Sequence, residues 1–142
     1  MLEFSFLTKE FYNDYKSCSE IEKKDARPYI RIEVEIDGVL FGIPLRSNIN
    51  HPHVLWTDKE HHCGVDFSKA VVITDPKRYI NTADKPYIRP NEFQSLRGKE
   101  HLVKEKMKKY IQKYKDAKAR PDLPRNRTLL KCSTLQYFEA YI

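Results

Sequence analysis

The segment YIRIEVEIDGVLFGIPL, residues 29–45, restricts the possible fold more than any other part of the chain. From Tyr29 to Ile36, Ile30, Ile32, Val34 and Ile36 alternate with Arg31, Glu33 and Glu35. A period of two sends successive side chains to opposite faces, so this segment predicts a strand with one face toward a core. Asp37-Gly38 is a tight-turn signal, and VLFGIPL then returns. The spacing predicts a β-hairpin over 29–45. Pro44 has no N–H to give to a ladder and is expected at an edge or a strand end.

Other segments predict shorter elements. LEFSFL, 2–7, alternates and predicts a strand; Thr8 then stands as the N-cap of a short helix with Phe11, Tyr12 and Tyr15 near one face. EIEKKDARP, 20–28, is charged and ends in proline, which predicts a loop or a frayed helix end. HVLWT, 53–57, and AVVIT, 70–74, predict two further strands, and a long polar connection comes next. RPNEFQSLRG, 89–98, predicts a helix with Asn91 as N-cap and Gly98 as its stop. The longest helix is expected over 99–120, where Val103, Met107, Tyr110, Ile111 and Tyr114 form a core stripe at helical spacing. Pro121 and Pro124 interrupt the chain, and Ser133 with Gln136 predicts a capping box ahead of the final apolar run. Strands followed by helices, without an internal repeat or a linker, predict one α+β domain over 1–142. About five short strands in a chain of this size predict a small, strongly curved antiparallel sheet, a partly open barrel surrounded by helices.

Charge narrows the partners. The net charge is +6, yet residues 99–131 hold 12 Lys/Arg against 4 Asp/Glu, while the rest holds 14 against 16. The surplus therefore belongs to the C-terminal third, to a long basic helix and the residues just beyond its end. Such a field attracts a polyanion, whether nucleic acid, anionic membrane or acidic protein; a solvated helix face has the same composition. Neither a secretory signal nor a membrane-spanning helix is expected, because the first 15 residues lack a basic stretch leading into a long apolar run. Cys18, Cys63 and Cys132 are odd in number and widely spaced, which fits a reducing, cytoplasmic setting.

Several chemistries lose support on spacing. His51, His53, His61, His62 and Cys63 lie within 13 residues but contain no C-x-x-C, so no metal site is expected. Cys63 is expected to be an inert small hydrophobe. Four glycines, none in a phosphate-loop pattern, argue against a nucleoside triphosphatase, and no cofactor is expected. RSNINHPH, 46–53, at the end of the hairpin, is left. Cleavage of RNA by its own 2′-hydroxyl needs a proton acceptor, a proton donor and cations on the phosphate, and leaves a 2′,3′-cyclic phosphate. Arg46 stays protonated and serves only to hold charge, whereas a histidine titrates near neutrality and handles protons. A polar turn with a structural serine and solvent-facing histidines is the other reading of the same residues.

RPYIRIEVEIDGVLFGIPLRSN resembles the start of the core hairpin in the toxins of type III toxin–antitoxin systems, the ToxN/AbiQ group and especially its CptN/TenpN-like branch. The shared pattern is a basic residue (Arg27), an alternating strand (29–36), a glycine turn (Gly38), Pro44-Leu45 and a serine-containing turn (Ser47). DFSKAVVI, 66–73, and residues 89–111 are also similar to that branch. Where the ToxN branch has Thr-Ser followed by a lysine, this chain has Arg46-Ser47 and no close lysine. The resemblance implies a Kid/MazF-like fold and a metal-independent, sequence-selective endoribonuclease toxin acting on cellular mRNA. It implies an RNA antitoxin: a repeated pseudoknot that the toxin cuts into units and that closes with it into a protein–RNA ring. No membrane and no obligate protein partner are expected. The site then consists of Arg46 on the scissile phosphate, Arg27 as a second phosphate contact, and Ser47 and Asn48 orienting the 2′-hydroxyl. His51 is the first choice as proton carrier and His53 the second. Lys104, Lys108, Lys109, Lys113, Arg125 and Arg127 are expected to bind the RNA backbone. A non-catalytic RNA-binding module and an interaction protein with a basic docking helix are the competing readings.

Overall fold

The computed structural model describes residues 2–22 and 28–142; Arg27, expected at the site, lies outside them. The hairpin forms the centre: β2 (Arg31–Ile36) and β3 (Val39–Arg46) pair antiparallel around Asp37-Gly38. Both turn residues have positive φ, which only glycine adopts without strain, and Asp37 is of the next most tolerant kind. Cross-strand pairs Ile32–Ile43, Val34–Phe41 and Ile36–Val39 carry the apolar face. Ile32, Val34, Phe41, Ile36 and Ile43 are all buried in the core.

Around it stand β1 (Glu3–Leu7), β4 (Val54–Asp58), β5 (Cys63–Asp66), β6 (Val71–Val72) and β7 (Ile80–Asn81). The order is β4-β5-β3-β2-β1-β7, with β6 also on β3; every pairing is antiparallel and the sheet is not closed. Seven strands replace the five expected. Pro44 is not at an edge but two residues from the end of the central strand. Leu45 N–H bonds Ile30 O on the β2 side, so the missing N–H of Pro44 faces the other side. There β6 reaches only Gly42 and β5 begins only at Leu45, so no ladder bond is lost.

The helices are α1 (Lys9–Asp14), α2 (Pro76–Tyr79), α3 (Pro90–Leu96), α4 (Glu100–Ala119) and α5 (Pro124–Cys132). Thr8 caps α1 by accepting from Phe11 N, as expected. Val103, Met107, Tyr110 and Tyr114 are buried along α4, and Ile111 half so. Three expectations fail. Asn91 is inside α3, whose cap position is Arg89, and its side chain donates to Asp58 instead. Pro124 opens a helix rather than breaking one, which a first-turn proline permits because its N–H has no helical partner. Ser133 caps a 3₁₀ turn over Thr134–Tyr137, and Gln136 donates to the Lys131 and Ser133 carbonyls, so the reciprocal bond of a capping box is absent.

Arg31 breaks the alternation of its strand, being 2% exposed on the face expected to meet water. Its side chain lies over Gly42, where a Cβ would come within 3.3 Å of its Cδ and 3.2 Å of Ile73. It donates to the Gly42 and Lys69 carbonyls, 3.3 Å each. Residues 67–73 thus cover the far face of the hairpin at this end. No helix is long and apolar enough to cross a membrane among the described residues.

Candidate active site

The site is organised by a carboxylate. Asp66 ends β5, and its side chain has no exposed surface. Oδ1 caps the following 3₁₀ turn, Phe67–Lys69, accepting from Ser68 N at 2.9 Å and Ser68 Oγ at 2.6 Å. Oδ2 accepts from Arg46 at 2.6 Å and faces His51 Nε2 at 3.2 Å. A buried carboxylate without partners is strongly unfavourable, and these partners are what it requires. Burial alone would raise its pKa; hydrogen bonds from His51, Ser68 and Arg46 outweigh this and lower it to about 2. One residue therefore ties together the end of β3, the 47–53 turn and the end of β5.

The histidine's tautomer is set by its neighbours. The His53 N–H donates to His51 Nδ1 at 3.0 Å, so Nδ1 is the bare acceptor and Nε2 carries the hydrogen. That N–H points at Asp66 and at Ser68 Oγ, also 3.2 Å away. Serine, histidine and aspartate are all present, yet this is not a nucleophilic triad. Ser68 gives its proton to Asp66, and both groups share one ring nitrogen, so no lone pair is left to activate the hydroxyl. Both nitrogens of His51 are engaged.

Arg46 is held by Asp66 on one side and lies over the Tyr29 ring, 5.6 Å from its centroid. Burial works against its charge, but hydrogen bonds with Tyr29 and Asp66 raise its pKa further above the ordinary arginine value. Its side chain remains 22% exposed, so the head is fixed while part of it meets solvent. Ser47 and Asn48 follow, both exposed, with Asn48 at φ 57° where the chain turns out of the strand.

His53 is placed differently. Its ring packs 5.5 Å from that of His51 and 5.3 Å from that of Tyr110. Among the described residues, no hydrogen bond to its ring nitrogens is found. Burial, then Lys113 and His51, lower its pKa, which favours the neutral imidazole. It stands between two concavities that share Pro52, His53 and Lys113. The smaller, about 140 Å³, adds Val54, Phe67, Tyr110, Lys106 and Lys109. The larger, about 650 Å³, adds Ala117, Arg120, Leu123 and Arg125, with Asp116 as its one acid; that carboxylate accepts from Gln112.

The expected site residues thus divide. Arg46, His51 and His53 are linked through Asp66 and the His53 amide, with Arg46 and His53 opening on different concavities, while Ser47 and Asn48 are exposed in the turn that follows Arg46. Lys109, Lys113 and Arg125 line the concavities beside His53. Lys104, Lys108 and Arg127 do not line them, and Lys108 lies 3.6 Å from Glu105. His61 and His62 point elsewhere, His61 to Asp58 at 2.8 Å and His62 to the Ile49 carbonyl at 3.1 Å. Cys63 is buried in β5, and burial pushes its thiol pKa up.

Sequence reasoning does not select Asp66, Ser68, Tyr29, Lys106 or Arg120. Asp66 and Ser68 lie in DFSK, Tyr29 in the hairpin segment and Lys106 in 89–111, all segments singled out in the sequence, but residue type alone does not mark which of their side chains reach the site. The two α4 and post-α4 cations require knowing which helix face meets the 47–53 turn. No protein-family model matches the chain, and no curated protein or solved structure shows significant similarity to it.

Proposed function

We propose that the chain is an endoribonuclease that cuts RNA by attack of its own 2′-hydroxyl, leaving a 2′,3′-cyclic phosphate. The observation that carries this reading is an imidazole, His53, with no hydrogen bond to its ring nitrogens among the described residues, standing between two cation-lined concavities and tied through His51 and Asp66 to an anchored arginine, Arg46, which lines a separate small concavity with Tyr29, Arg31 and Lys69. In the proposed step neutral His53 accepts the 2′-hydroxyl proton, the 2′-oxygen bonds to phosphorus, and the P–O5′ bond breaks. The 5′-oxygen takes its proton from solvent. Arg46 holds the growing phosphate charge, Ser47 and Asn48 orient the reacting groups, and Arg27 makes a second phosphate contact. His51, with both nitrogens engaged, positions Arg46 and His53 through Asp66 and the His53 amide. The cations on the phosphate come from the chain itself.

With the hairpin and DFSK resemblance, the proposal extends to a metal-independent type III toxin of the cytoplasm, a member of the CptN/TenpN-like branch with a Kid/MazF-like fold. It would be neutralised by a repeated pseudoknot RNA that it processes and with which it assembles into a ring. Lys104, Lys108 and Arg127 would then contact RNA outside the two concavities. The test is cleavage of single-stranded RNA in EDTA with analysis of the termini. The wild type is expected to give cyclic phosphate ends, and His53→Ala to lose about 10²–10⁴-fold in rate while still binding RNA. Intact RNA with tight binding would leave a non-catalytic RNA-binding module in its place.

A further inference from the structure

We propose that the smaller concavity beside His53 takes a single splayed nucleobase, so that the chain binds single-stranded rather than duplex polynucleotide. The inference rests on reading this face as an RNA surface, but not on cleavage. At about 140 Å³ the concavity is of a size for one planar ring system. Its floor is apolar, formed by Val54, Phe67 and the edge of Tyr110, each less than a tenth exposed. The His53 ring supplies a flat, half-buried wall. Its rim is cationic, Lys106, Lys109 and Lys113, and among the described residues no carboxylate lines it.

A flat ligand with apolar faces and an acceptor-rich edge, carried on an anionic backbone, satisfies both halves. A free phosphate or an acidic side chain would meet the lysines and leave the floor wet. A paired base keeps its faces stacked on neighbours and cannot enter, whereas an unstacked base of a single strand does. The rim lysines are donors only, which favours an acceptor-rich edge such as O6 and N7 of guanine. Across the shared wall, Arg120 and Arg125 give the adjoining backbone phosphates a place in the larger concavity.

The experiment uses a 2′-O-methyl single strand of about eight nucleotides, within the usual footprint of such sites. It lacks the attacking hydroxyl, so binding is read apart from cleavage. Bases are replaced one at a time by abasic units and affinity is measured by fluorescence anisotropy. One position is expected to cost about tenfold or more, the size of a lost base–aromatic contact, with the others near neutral. The matching duplex should bind at least about tenfold more weakly at the same salt. His53→Ala should flatten the penalty at the sensitive position. Small uniform losses along the strand, or equal binding of duplex, would overturn the base pocket. If one position stands out while RNA stays uncut, the pocket holds and the nuclease reading falls. If RNA is cut and no position stands out, the reverse is true.

Discussion

Asp66 concentrates most of the site's energetics in one side chain. Its carboxyl is lowered to about 2 in the folded chain, against about 3.9 in an unfolded one. Between those values the unfolded state binds more protons, so stability is complete above about pH 4 and is lost as pH falls toward 2. The full shift corresponds to between about 2 and about 3 kcal/mol, of which about 2 kcal/mol falls between about pH 5 and about pH 2.5. Denaturant titrations at about pH 5 and about pH 2.5 should show wild type losing about that much more than Asp66→Asn, which starts less stable but has no proton to take up there. Equal losses would mean that another group titrates. At this scale the sequence is partly legible. RSNINHPH is contiguous, and its residue types are those the proposed phosphate and proton chemistry needs. Which imidazole is free is not legible, because it depends on a single amide, His53 N–H, occupying His51 Nδ1. Arg31 departs from its sequence pattern for a similar reason: its side chain is on the expected face, but the bare backbone at Gly42 lets it lie flat there and residues 67–73 cover it.

At the level of elements, the pair β4–β5 holds the site in place. Gly64 lies opposite Trp56 and Arg46, and a Cβ there would stand 2.5 Å from the Leu55 carbonyl oxygen and 2.8 Å from Val54 Cγ2. The first obstacle is backbone, so the strands must separate for Gly64→Ala to fit. Overpacking of this kind costs about 1–3 kcal/mol, and the melting temperature followed by circular dichroism should fall by several degrees. Because Asp66 is two residues on, the same variant should also lose the proposed cleavage activity; an unchanged melting temperature would show that β5 yields freely. The elements legible in the sequence, the hairpin and α4, have long periods of two and 3.6. β5 is hidden because all four of its residues are buried, which leaves no alternation to detect. α5 is hidden because its first-turn proline resembles a break and none of its residues is fully buried.

For the molecule as a whole, five of the twelve cations of 99–131 are gathered on one side. Lys106, Lys109, Lys113, Arg120 and Arg125 gather around the 47–53 turn, with one acid among them already engaged by Gln112. If these five cations neutralise five phosphates, binding of a single strand releases counterions in proportion. Log K should then fall against log salt with a slope of about −3 to −4, from about 0.7 per phosphate. Removing two contacts with Lys109→Ala and Lys113→Ala should make the slope shallower by about 1.4, while Lys9→Ala, exposed on α1 away from both concavities, should leave it alone. Anisotropy with the 2′-O-methyl strand between about 50 and about 300 mM salt reads this directly. A flat response, or a slope equally sensitive to Lys9, would mean that the +6 net charge acts as a general field and that the concavities beside His53 are not where the polyanion lies.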